Sequence, residues 1–547
     1  MLKSANSYTE LYQAFSWHIP EHYNMGVDVC DKWAEREPQR LALIHATDQG
    51  ETHYSFGQLR ALSNRLANLL QSSGIAKGDR VAILLPQAPE TALGHIATHK
   101  LGAISIPLFT LFGAEALAYR LENSGASAVI TNAEGAARLQ MLRSQLPALR
   151  HVFSIDGAAP GARDLHAELA HQSEAFTPKN TLADDPAVLI YTSGTTGQPK
   201  GALHAHRVLL GHLPGVEISH DFFPQPGDRI WTPADWAWIG GLLDVLMPAL
   251  HHGVPVVVRR FEKFSAEAAF ALIQDYQVRN AFIPPTALKM MRSLPNAQQR
   301  WKLQMRSIAS GGESLGTELL DWGRTTFGVT INEFYGQTEC NMLVSSCSKL
   351  EPARPGSIGR AVPGHTVAIV DDQGQPQTAG TQGHIAVRKP DPVMFLGYWQ
   401  NPEASAAKFV GEWLLTGDVG VQNEDGSFTF LGRDDDVITS SGYRIGPGEI
   451  EDCLLGHPAI ELAAVVGKPD AQRTEIVKAY VVLKTGVPAS DALVKDIQEW
   501  VKSRLAAHEY PREVSFLSAL PMTTTGKIIR GQLRKQAIAE EAATALR

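Results

Sequence analysis

The sequence predicts an α/β protein with a large N-terminal region of layered α/β subdomains and a smaller α+β C-terminal domain. Of the 547 residues, 44% are hydrophobic and 19% are charged, which is the composition of a globular protein. This length is too great for a single hydrophobic core. Short apolar runs alternate along the chain with amphipathic helical patterns. This alternation favours helices layered on a buried, largely parallel sheet.

The first elements of the N-terminal region show this alternation. Residues 55–74 predict a helix, because Ser55 and Gln58 form a capping-box pattern and leucines follow at helical spacing until Gly74. The strands predicted after it are 81–85, 103–107 and 129–130.

His95 and His99 are four residues apart and can share one helix face. A zinc site there is not favoured, because no glutamate accompanies them in the pattern that zinc helices use. Helix packing is the preferred interpretation.

Charge and cysteine content exclude several classes of function. The formal net charge of −8 argues against a general nucleic-acid binder, which needs a basic face. The 4 cysteines have neither metal-site nor disulfide-framework spacing, which indicates a reducing compartment. The first residues lack the apolar core of a signal peptide, and no apolar run reaches membrane-spanning length. We expect a soluble cytoplasmic protein, for which the sequence indicates no oligomeric state.

The most distinctive stretch of the chain is Tyr191-Thr192-Ser193-Gly194-Thr195-Thr196-Gly197-Gln198-Pro199-Lys200-Gly201. It follows an apolar run and predicts a buried strand that opens into a flexible loop. Its glycines allow consecutive backbone N–H groups to point at an anion, and its hydroxyls and lysine add donors and charge. The stretch therefore predicts a polyphosphate cradle, although such composition by itself is also typical of a surface loop. It is not a Walker A loop, since no Lys-Ser/Thr pair follows the second glycine.

This loop resembles the signature phosphate loop of the adenylate-forming enzymes, a superfamily of acyl-CoA synthetases, luciferases and peptide-synthetase adenylation domains. The resemblance implies that the chain binds ATP with Mg²⁺ and uses coenzyme A as a co-substrate. The residues that it assigns to ATP are Thr192, Ser193, Gly194, Thr195, Thr196, Gly197 and Lys200, with Thr196 also catalytic.

Two further segments resemble nucleotide-contacting motifs of the same superfamily. An aromatic ring can stack on a base, and a carboxylate can help to hold Mg²⁺. The resemblance implies that Tyr335 stacks on the adenine, that Thr338 contacts a phosphate and that Glu339 serves the magnesium and catalysis. The full set of nucleotide-binding residues in these segments is Gly312, Glu313, Ser314, Glu333, Phe334, Tyr335, Gly336, Gln337 and Thr338.

Tryptophans are concentrated in residues 231–241, where core packing is the general interpretation. The alternative is an apolar wall for a substrate tail, to which glycines give room. The resembled superfamily has its acyl pocket here, which implies pocket roles for Trp236, Trp238 and Gly240. Gly336 stands where acetate-specific relatives have a tryptophan. The resemblance therefore favours a medium-chain, branched or aryl acid.

Asp418 is predicted to lie just past a strand, in Thr416-Gly417-Asp418. Its carboxylate can accept hydrogen bonds from both ribose hydroxyls, whereas an isolated motif of this kind would be an ordinary turn. The resemblance implies that Arg433 also contacts the ribose and that Asp435 is the hinge of a mobile C-terminal domain.

We therefore predict an N-terminal adenylation domain at 1–433 and a mobile C-terminal domain at 434–547. Residues 437–451 resemble the medium-chain acyl-CoA synthetases most closely. The remaining cofactor-binding residues that the resemblance implies are Ser441, Gly442, Tyr443, Arg444 and Arg473. Helices are predicted from Pro447 to Gly456 and from about Ser490.

Lys527 lies on a turn near the C-terminus and, by resemblance, bridges the substrate carboxylate and the α-phosphate during adenylation. The implied reaction is an ATP-dependent ligation. The carboxylate forms an acyl-adenylate and expels pyrophosphate, and CoA then forms the thioester and releases AMP. Two alternatives are a ligase that loads a carrier-protein thiol and a non-catalytic nucleotide-binding protein on the same scaffold.

Overall fold

The computed structural model describes residues 2–192, 198–313, 315–354, 356–440, 443–470, 473–505, 509–522 and 527–545. The chain forms two compact units. The first comprises Met1–Ala353, Gly359–Thr366 and Arg388–Lys408, and the second comprises Arg354–Ile358, Val367–Val387 and Phe409–Arg547. The second unit thus contains the predicted C-terminal domain together with earlier segments. The boundary at residue 433 stays a prediction.

The strands are β1 Leu41–Thr47, β2 Gly50–Ser55, β3 Arg80–Leu84, β4 Ile104–Pro107, β5 Ala128–Thr131, β6 His151–Ser154, β7 Arg163–Asp164, β8 Pro186–Thr192, β9 Lys200–Ala205, β10 Ile230–Trp231, β11 Val256–Val258, β12 Asn280–Phe282, β13 Ser307–Gly311, β14 Ile331–Gln337, β15 Cys340–Ser345, β16 Ser357–Ala361, β17 Val367–Val370, β18 Gln382–Arg388, β19 Gly397–Tyr398, β20 Phe409–Val410, β21 Trp413–Gln422, β22 Phe428–Arg433, β23 Ile438–Ser440, β24 Tyr443–Ile445, β25 Ile460–Asp470, β26 Thr474–Leu483 and β27 Glu513–Phe516.

The α-helices are α1 Tyr8–Ala14, α2 Lys32–Arg36, α3 Phe56–Ser72, α4 Pro89–Lys100, α5 Ala114–Ser124, α6 Ala133–Leu142, α7 Leu165–Ala170, α8 Val208–Ser219, α9 Ile239–Gly241, α10 Met247–His251, α11 Ala266–Asp275, α12 Pro285–Arg292, α13 Ala297–Arg300, α14 Gly316–Phe327, α15 Pro402–Ala406, α16 Pro447–Leu455, α17 Asp491–Lys502 and α18 Arg530–Ala545. Within the described part of the chain, no helix combines the length and the apolar character needed to cross a bilayer.

The first unit is built on two sheets whose strands are mostly parallel. One sheet has 8 strands in the order β19-β9-β8-β4-β3-β5-β6-β7. The other joins β15-β14-β13-β12-β10-β11-β1-β2 within this unit, and its end pairs β14–β15 and β1–β2 are antiparallel. Strands such as β4 and β5 are buried at every position, which explains their continuous apolar runs. The predicted α/β class is confirmed.

The predicted local elements of this unit form where the sequence places them. Helix α3 begins after Ser55, whose hydroxyl accepts from the Gln58 amide while the Gln58 side chain accepts from the Ser55 amide. This reciprocal pair is the predicted capping box, and it satisfies two backbone donors that a helix start leaves open. Strands β3, β4 and β5 confirm the predicted apolar strands.

His95 and His99 lie on one face of α4 and both contact Ser105 on β4. His95 Nδ1 and His99 Nε2 are each 3.0 Å from Ser105 Oγ. Both imidazoles are completely buried. Helix packing, the interpretation that the sequence favours, therefore accounts for the pair.

We expect acid to destabilise the first unit because it buries neutral histidines. An unfolded histidine has a pKa near 6.5, so below that pH the unfolded chain binds more protons than the folded chain. The free energy of unfolding therefore decreases as the pH is lowered. Each such histidine lowers it by up to about 1.4 kcal/mol per pH unit between pH 6.5 and its folded pKa. Burial is the main cause that lowers the pKa of His95, His204 and His220 to about 3 and of His206 and His212 to about 4.

Urea unfolding at constant ionic strength between pH 7.5 and pH 5.5 measures this effect. His220→Gln should flatten the pH dependence by about one proton, since one buried base is removed. The control is His53→Gln, because the His53 side chain is 52% exposed. A free energy of unfolding that does not change over this range would contradict the prediction.

The second unit contains two groups of strands. Strands β20, β21 and β22 pair antiparallel, as do β17 and β18. A second sheet of 5 strands has the order β24-β23-β26-β25, with β27 parallel to β26. Ala463 and Val465 on β25 belong to one apolar cluster, and Ala464 and Val466 to another, because successive residues of a strand face opposite sides. Helix α18 supplies Leu533 to the second cluster.

The predicted helices of this unit are confirmed. Helix α16 begins at Pro447, whose fixed φ and missing N–H suit the first helical position, and Gly456 follows its end. Helix α17 begins after Ser490, whose hydroxyl accepts from the Leu493 amide.

Candidate active site

The predicted phosphate loop is held at both ends by an antiparallel ladder. Thr192 ends β8 and Lys200 begins β9, and the two residues are paired. The Thr192 hydroxyl donates to the Lys200 carbonyl oxygen at 3.2 Å. Lys200 is half-buried. The predicted loop residues Ser193, Gly194, Thr195, Thr196 and Gly197 lie outside the described residues.

Glu339 and Thr338 form the turn of the hairpin β14–β15. Gln337 and Cys340 face each other across the base of this turn. The Glu339 side chain is only 8% exposed, so its carboxylate needs donors within the protein. The turn thus presents the predicted phosphate contact and the predicted magnesium ligand side by side.

The predicted adenine side of the site lies on β14. Glu333, Phe334 and Tyr335 are consecutive and all buried. The Phe334 ring centroid is 5.2 Å from that of Phe282, so Phe334 faces the aromatic core. Successive strand residues face opposite sides, which places Glu333 and Tyr335 together on the other face. The stacking of Tyr335 on adenine stays a prediction.

Tyr398 contacts both Lys200 and Glu339, and the sequence did not single it out. Its hydroxyl donates to Glu339 Oε1. The Lys200 ammonium lies 5.3 Å from the centroid of its ring, within the range of a cation–π contact. Pairing of β19 with β9 brings the tyrosine there, and no local sequence pattern indicates such a distant pairing.

Lys408 is a second residue that the sequence analysis missed. Its ammonium donates to Gln337 Oε1 at 3.2 Å. The contact orients the amide of a predicted nucleotide-binding residue. The local sequence gives no indication of this contact, since lysines near short helices are common at protein surfaces.

Gly336 is constrained by packing within the hairpin. A Cβ atom at this position would lie 2.5 Å from Asn341 Oδ1 and 2.6 Å from the Met342 amide nitrogen. Such distances are well below van der Waals contact, so a side chain here would require the hairpin to shift. The glycine has this structural reason of its own, and a larger acyl pocket at Gly336 stays a prediction.

The tryptophan-rich segment is packed more tightly than the sequence suggests. Trp236 is 0% exposed, so no part of it faces a space that admits water, whereas Trp238 is half-buried. A Cβ at Gly240 would lie 2.9 Å from the Phe282 ring. Gly240 therefore has a packing reason of its own, and its role in an acyl pocket stays a prediction. Trp238 is the predicted wall residue that keeps an accessible surface.

Asp235 begins the turn that leads into α9. Its Oδ1 accepts from the Ala237 amide at 2.8 Å. Burial raises the pKa of the Asp235 carboxyl to about 6, although this hydrogen bond acts in the opposite direction. Burial thus favours the neutral form of this carboxyl.

The predicted glycine-rich turn follows β13. Gly312 has a φ of +96°, a conformation that favours glycine. Glu313 is half-buried beside it. Ser314 lies outside the described residues.

The predicted ribose contacts Asp418 and Arg433 face each other in the second unit. They are paired across β21 and β22, and Arg433 Nε is 3.5 Å from both Asp418 Oδ1 and Asp435 Oδ1. The expectation that Asp418 lies just past a strand is wrong, because β21 continues through it to Gln422. Pairing with β22 extends the strand, and only the fold supplies that partner.

The other predicted residues of this unit are placed as follows. Tyr443 and Arg444 lie on β24, and Ser441 and Gly442 lie outside the described residues. The Arg473 amide donates to Asp470 Oδ1 at 2.8 Å. Lys527 is half-buried and precedes α18.

Comparison with known families identifies the chain. The model described as the AMP-binding enzyme family matches residues 30–399, and that of the AMP-binding enzyme C-terminal domain matches residues 449–527. The chain belongs to the AMP-binding enzyme family. The predicted membership of the adenylate-forming superfamily, close to the medium-chain acyl-CoA synthetases, is confirmed. The chain is an ATP-dependent, AMP-forming acid–CoA ligase, as predicted.

Similar proteins cover nearly the whole chain. An acetyl-coenzyme A synthetase of Bacillus subtilis is 35% identical, with 96% of this chain and 94% of that protein aligned. A human mitochondrial acyl-coenzyme A synthetase is 34% identical, with 95% and 91% aligned. The crystal structure of an anthranilate CoA ligase in complex with anthranoyl-AMP is 29% identical, with a TM-score of 0.88 over 96% of this chain and 99% of that one.

Proposed function

We propose that this ATP-dependent carboxylate–CoA ligase acts on a medium-chain, branched or aryl carboxylic acid. The carboxylate oxygen attacks the α-phosphorus of ATP, which gives an acyl-adenylate and pyrophosphate. The CoA thiolate then attacks the acyl carbon and releases AMP. The observation that carries the proposal is that acyl-CoA synthetases align with at least 94% of this chain, including both family regions.

The residues of the first unit would bind the phosphates and the metal. Adenylation brings two anions together, so its catalysis is mostly positioning and charge stabilisation. Lys200 supplies a positive charge at the end of the phosphate loop. Thr338 and Glu339 share one turn, which would place a phosphate contact beside a metal ligand.

Glu339 fits a magnesium ligand. Its Oε1 accepts from Tyr398, and no hydrogen-bond partner of its Oε2 is found among the described residues, so oxygen lone pairs are available. Mg²⁺ is typically held by one or two carboxylates together with phosphate oxygens and water. Within the described ranges, no group of three or more histidine, cysteine, aspartate or glutamate residues could form a separate cage. The ion would neutralise phosphate charge.

The residues of the second unit would bind the ribose, CoA and the reacting groups. Asp418 can accept from both ribose hydroxyls, and Arg433 beside it can hold the carboxylate in place. Lys527 would bridge the carboxylate and the α-phosphate, and Asp435 would be the hinge. The proposed CoA-binding residues are Ser441, Gly442, Tyr443, Arg444 and Arg473.

The proposed acid class rests on Trp238, the predicted wall residue that keeps an accessible surface. Its ring packs against the buried ring of Phe282, with centroids 5.9 Å apart, and Phe282 in turn lies 5.2 Å from the buried Phe334 ring. A half-buried tryptophan backed by aromatic rings suits an apolar or aromatic tail better than acetate. We also propose a cytoplasmic location, because all 4 cysteines are free thiols and therefore suit a reducing compartment.

The proposal is tested by AMP and pyrophosphate release with MgATP across straight-chain, branched and aromatic acids, with and without CoA. We expect CoA-dependent turnover that peaks at one class of acid larger than acetate. Pyrophosphate release without thioester formation would instead indicate a carrier-protein acceptor. No AMP from any acid, with ATP still bound, would indicate a non-catalytic nucleotide-binding protein. A maximum at acetate would overturn the proposed acid class only.

A further inference from the structure

Tyr398 is fixed on both sides by backbone hydrogen bonds. It pairs with Ala202 across β19 and β9, and the neighbouring Trp399 amide donates to the Gly201 carbonyl oxygen at 2.7 Å. The Tyr398 amide donates to Ser405 Oγ at 2.8 Å. The tyrosine backbone is therefore tied to the strand that begins with Lys200.

The segment that carries Tyr398 also holds the backbone of Glu339. The Phe395 amide donates to the Glu339 carbonyl oxygen at 2.9 Å. The Phe395 ring packs edge-on against the Tyr398 ring, with centroids 5.0 Å apart. One segment thus binds Glu339 through both its main chain and its carboxylate.

The Tyr398 side chain lies between a cation and an anion. Its ring contacts the Lys200 ammonium and its hydroxyl donates to the Glu339 carboxylate, and the side chain is only 9% exposed. Lys200 and Glu339, which are both described, form no ion pair with each other. A direct pair between the ammonium and the carboxylate would neutralise both charges, and their attraction is screened less here than in open water.

We infer that Tyr398 is a positioning residue that keeps Lys200 and Glu339 separate and oriented until MgATP binds. The inference rests on the proposed function, in which Lys200 serves a phosphate and Glu339 a metal ion. The Tyr398 hydroxyl gives the buried Glu339 carboxylate a neutral hydrogen-bond donor, so the negative charge of the carboxylate stays available for the magnesium ion. The face of the Tyr398 ring contacts the Lys200 ammonium without neutralising it, so the positive charge of the ammonium stays available for a phosphate.

Two substitutions separate the two contacts. Tyr398→Phe removes the hydroxyl and keeps the ring, and we expect it to weaken MgATP binding about tenfold, since a hydrogen bond to a charged group is lost. Tyr398→Leu removes both contacts and allows Lys200 and Glu339 to pair, so the loss should be larger. Calorimetric titration with MgATP and with ATP alone measures binding without requiring turnover.

A double-mutant cycle tests the pairing itself. In the Tyr398→Leu protein, adding Glu339→Gln should restore part of the affinity for metal-free ATP, because Lys200 is released. The same substitution in the native background should give a smaller gain. Equal gains in both backgrounds would overturn the inference.

The matched control is Tyr23→Phe. The Tyr23 hydroxyl donates to Asp28 Oδ2 at 2.7 Å, so this variant loses the same kind of hydrogen bond at residues to which no role in the reaction is assigned. The Tyr23→Phe protein should bind MgATP as the native enzyme does. If the native enzyme binds no MgATP, the proposed function fails. If it does and Tyr398→Phe binds equally well, only the present inference fails.

Discussion

Lys527→Ala is expected to abolish acyl-adenylate formation while sparing thioester formation from a supplied acyl-adenylate. Removal of a single charged or polar group that stabilises a transition state costs about 10²–10³ in rate, and the bridge between two anions that we propose for Lys527 would lie at the upper end of that range. The second half-reaction joins a thiolate to an activated acyl group, where a bridge between carboxylate and phosphate has no role. Pyrophosphate release and single-turnover thioester formation measure the two steps separately.

The control for Lys527→Ala is Lys502→Ala in the same unit. The Lys502 side chain is 51% exposed and its ammonium lies 3.5 Å from Glu499, so its removal should alter neither half-reaction. Equal loss of both half-reactions in Lys527→Ala would contradict the proposal that Lys527 acts in adenylation and not in thioester formation. Thermal unfolding of each variant shows whether a loss arises from misfolding.

Glu339→Gln is expected to lower the adenylation rate by about 10²–10³, because the carboxylate that we propose as a metal ligand is replaced by a neutral amide. The substitution keeps the shape of the side chain, and its amide oxygen can still accept from the Tyr398 hydroxyl. The fold should therefore be retained. Pyrophosphate release as a function of Mg²⁺ concentration is the measurement, and the variant should need more of the ion.

Glu168→Gln is the matched control for this variant. Glu168 pairs with Arg163 at the surface, and such exposed pairs contribute little. The pyrophosphate release of the Glu168→Gln protein should depend on the Mg²⁺ concentration as that of the native enzyme does. A native Mg²⁺ dependence in Glu339→Gln would remove Glu339 from the proposed metal site.

Local patterns predicted the regular elements well because their causes are local. The capping box at Ser55 and Gln58 needs only four consecutive residues, and the start of α16 at Pro447 needs only the fixed φ of proline. The same reasoning failed at Asp418, where the strand continues because β22 pairs with it. A strand end is decided by its neighbour and cannot be read from one segment.

The candidate site was predictable where a motif carries the chemistry. Lys200, Glu339, Asp418 and Arg433 are placed by recognisable segments, and the fold sets Asp418 opposite Arg433. Tyr398 carries no such signal, because its role arises from the pairing of β19 with β9. The packing at Gly240 carries no local signal for a related reason, since the ring beside it belongs to β12.

The sequence by itself determined the α/β class, the principal helices and strands, the family and most of the candidate site residues. These depend on residue types and short-range spacing, which the chain displays directly. The tertiary structure alone decided which side chains meet. It placed Tyr398 between Lys200 and Glu339, filled the space at Gly240 with Phe282 and set Asn341 against Gly336. Such contacts join segments far apart in the chain, and only packing in three dimensions brings them together.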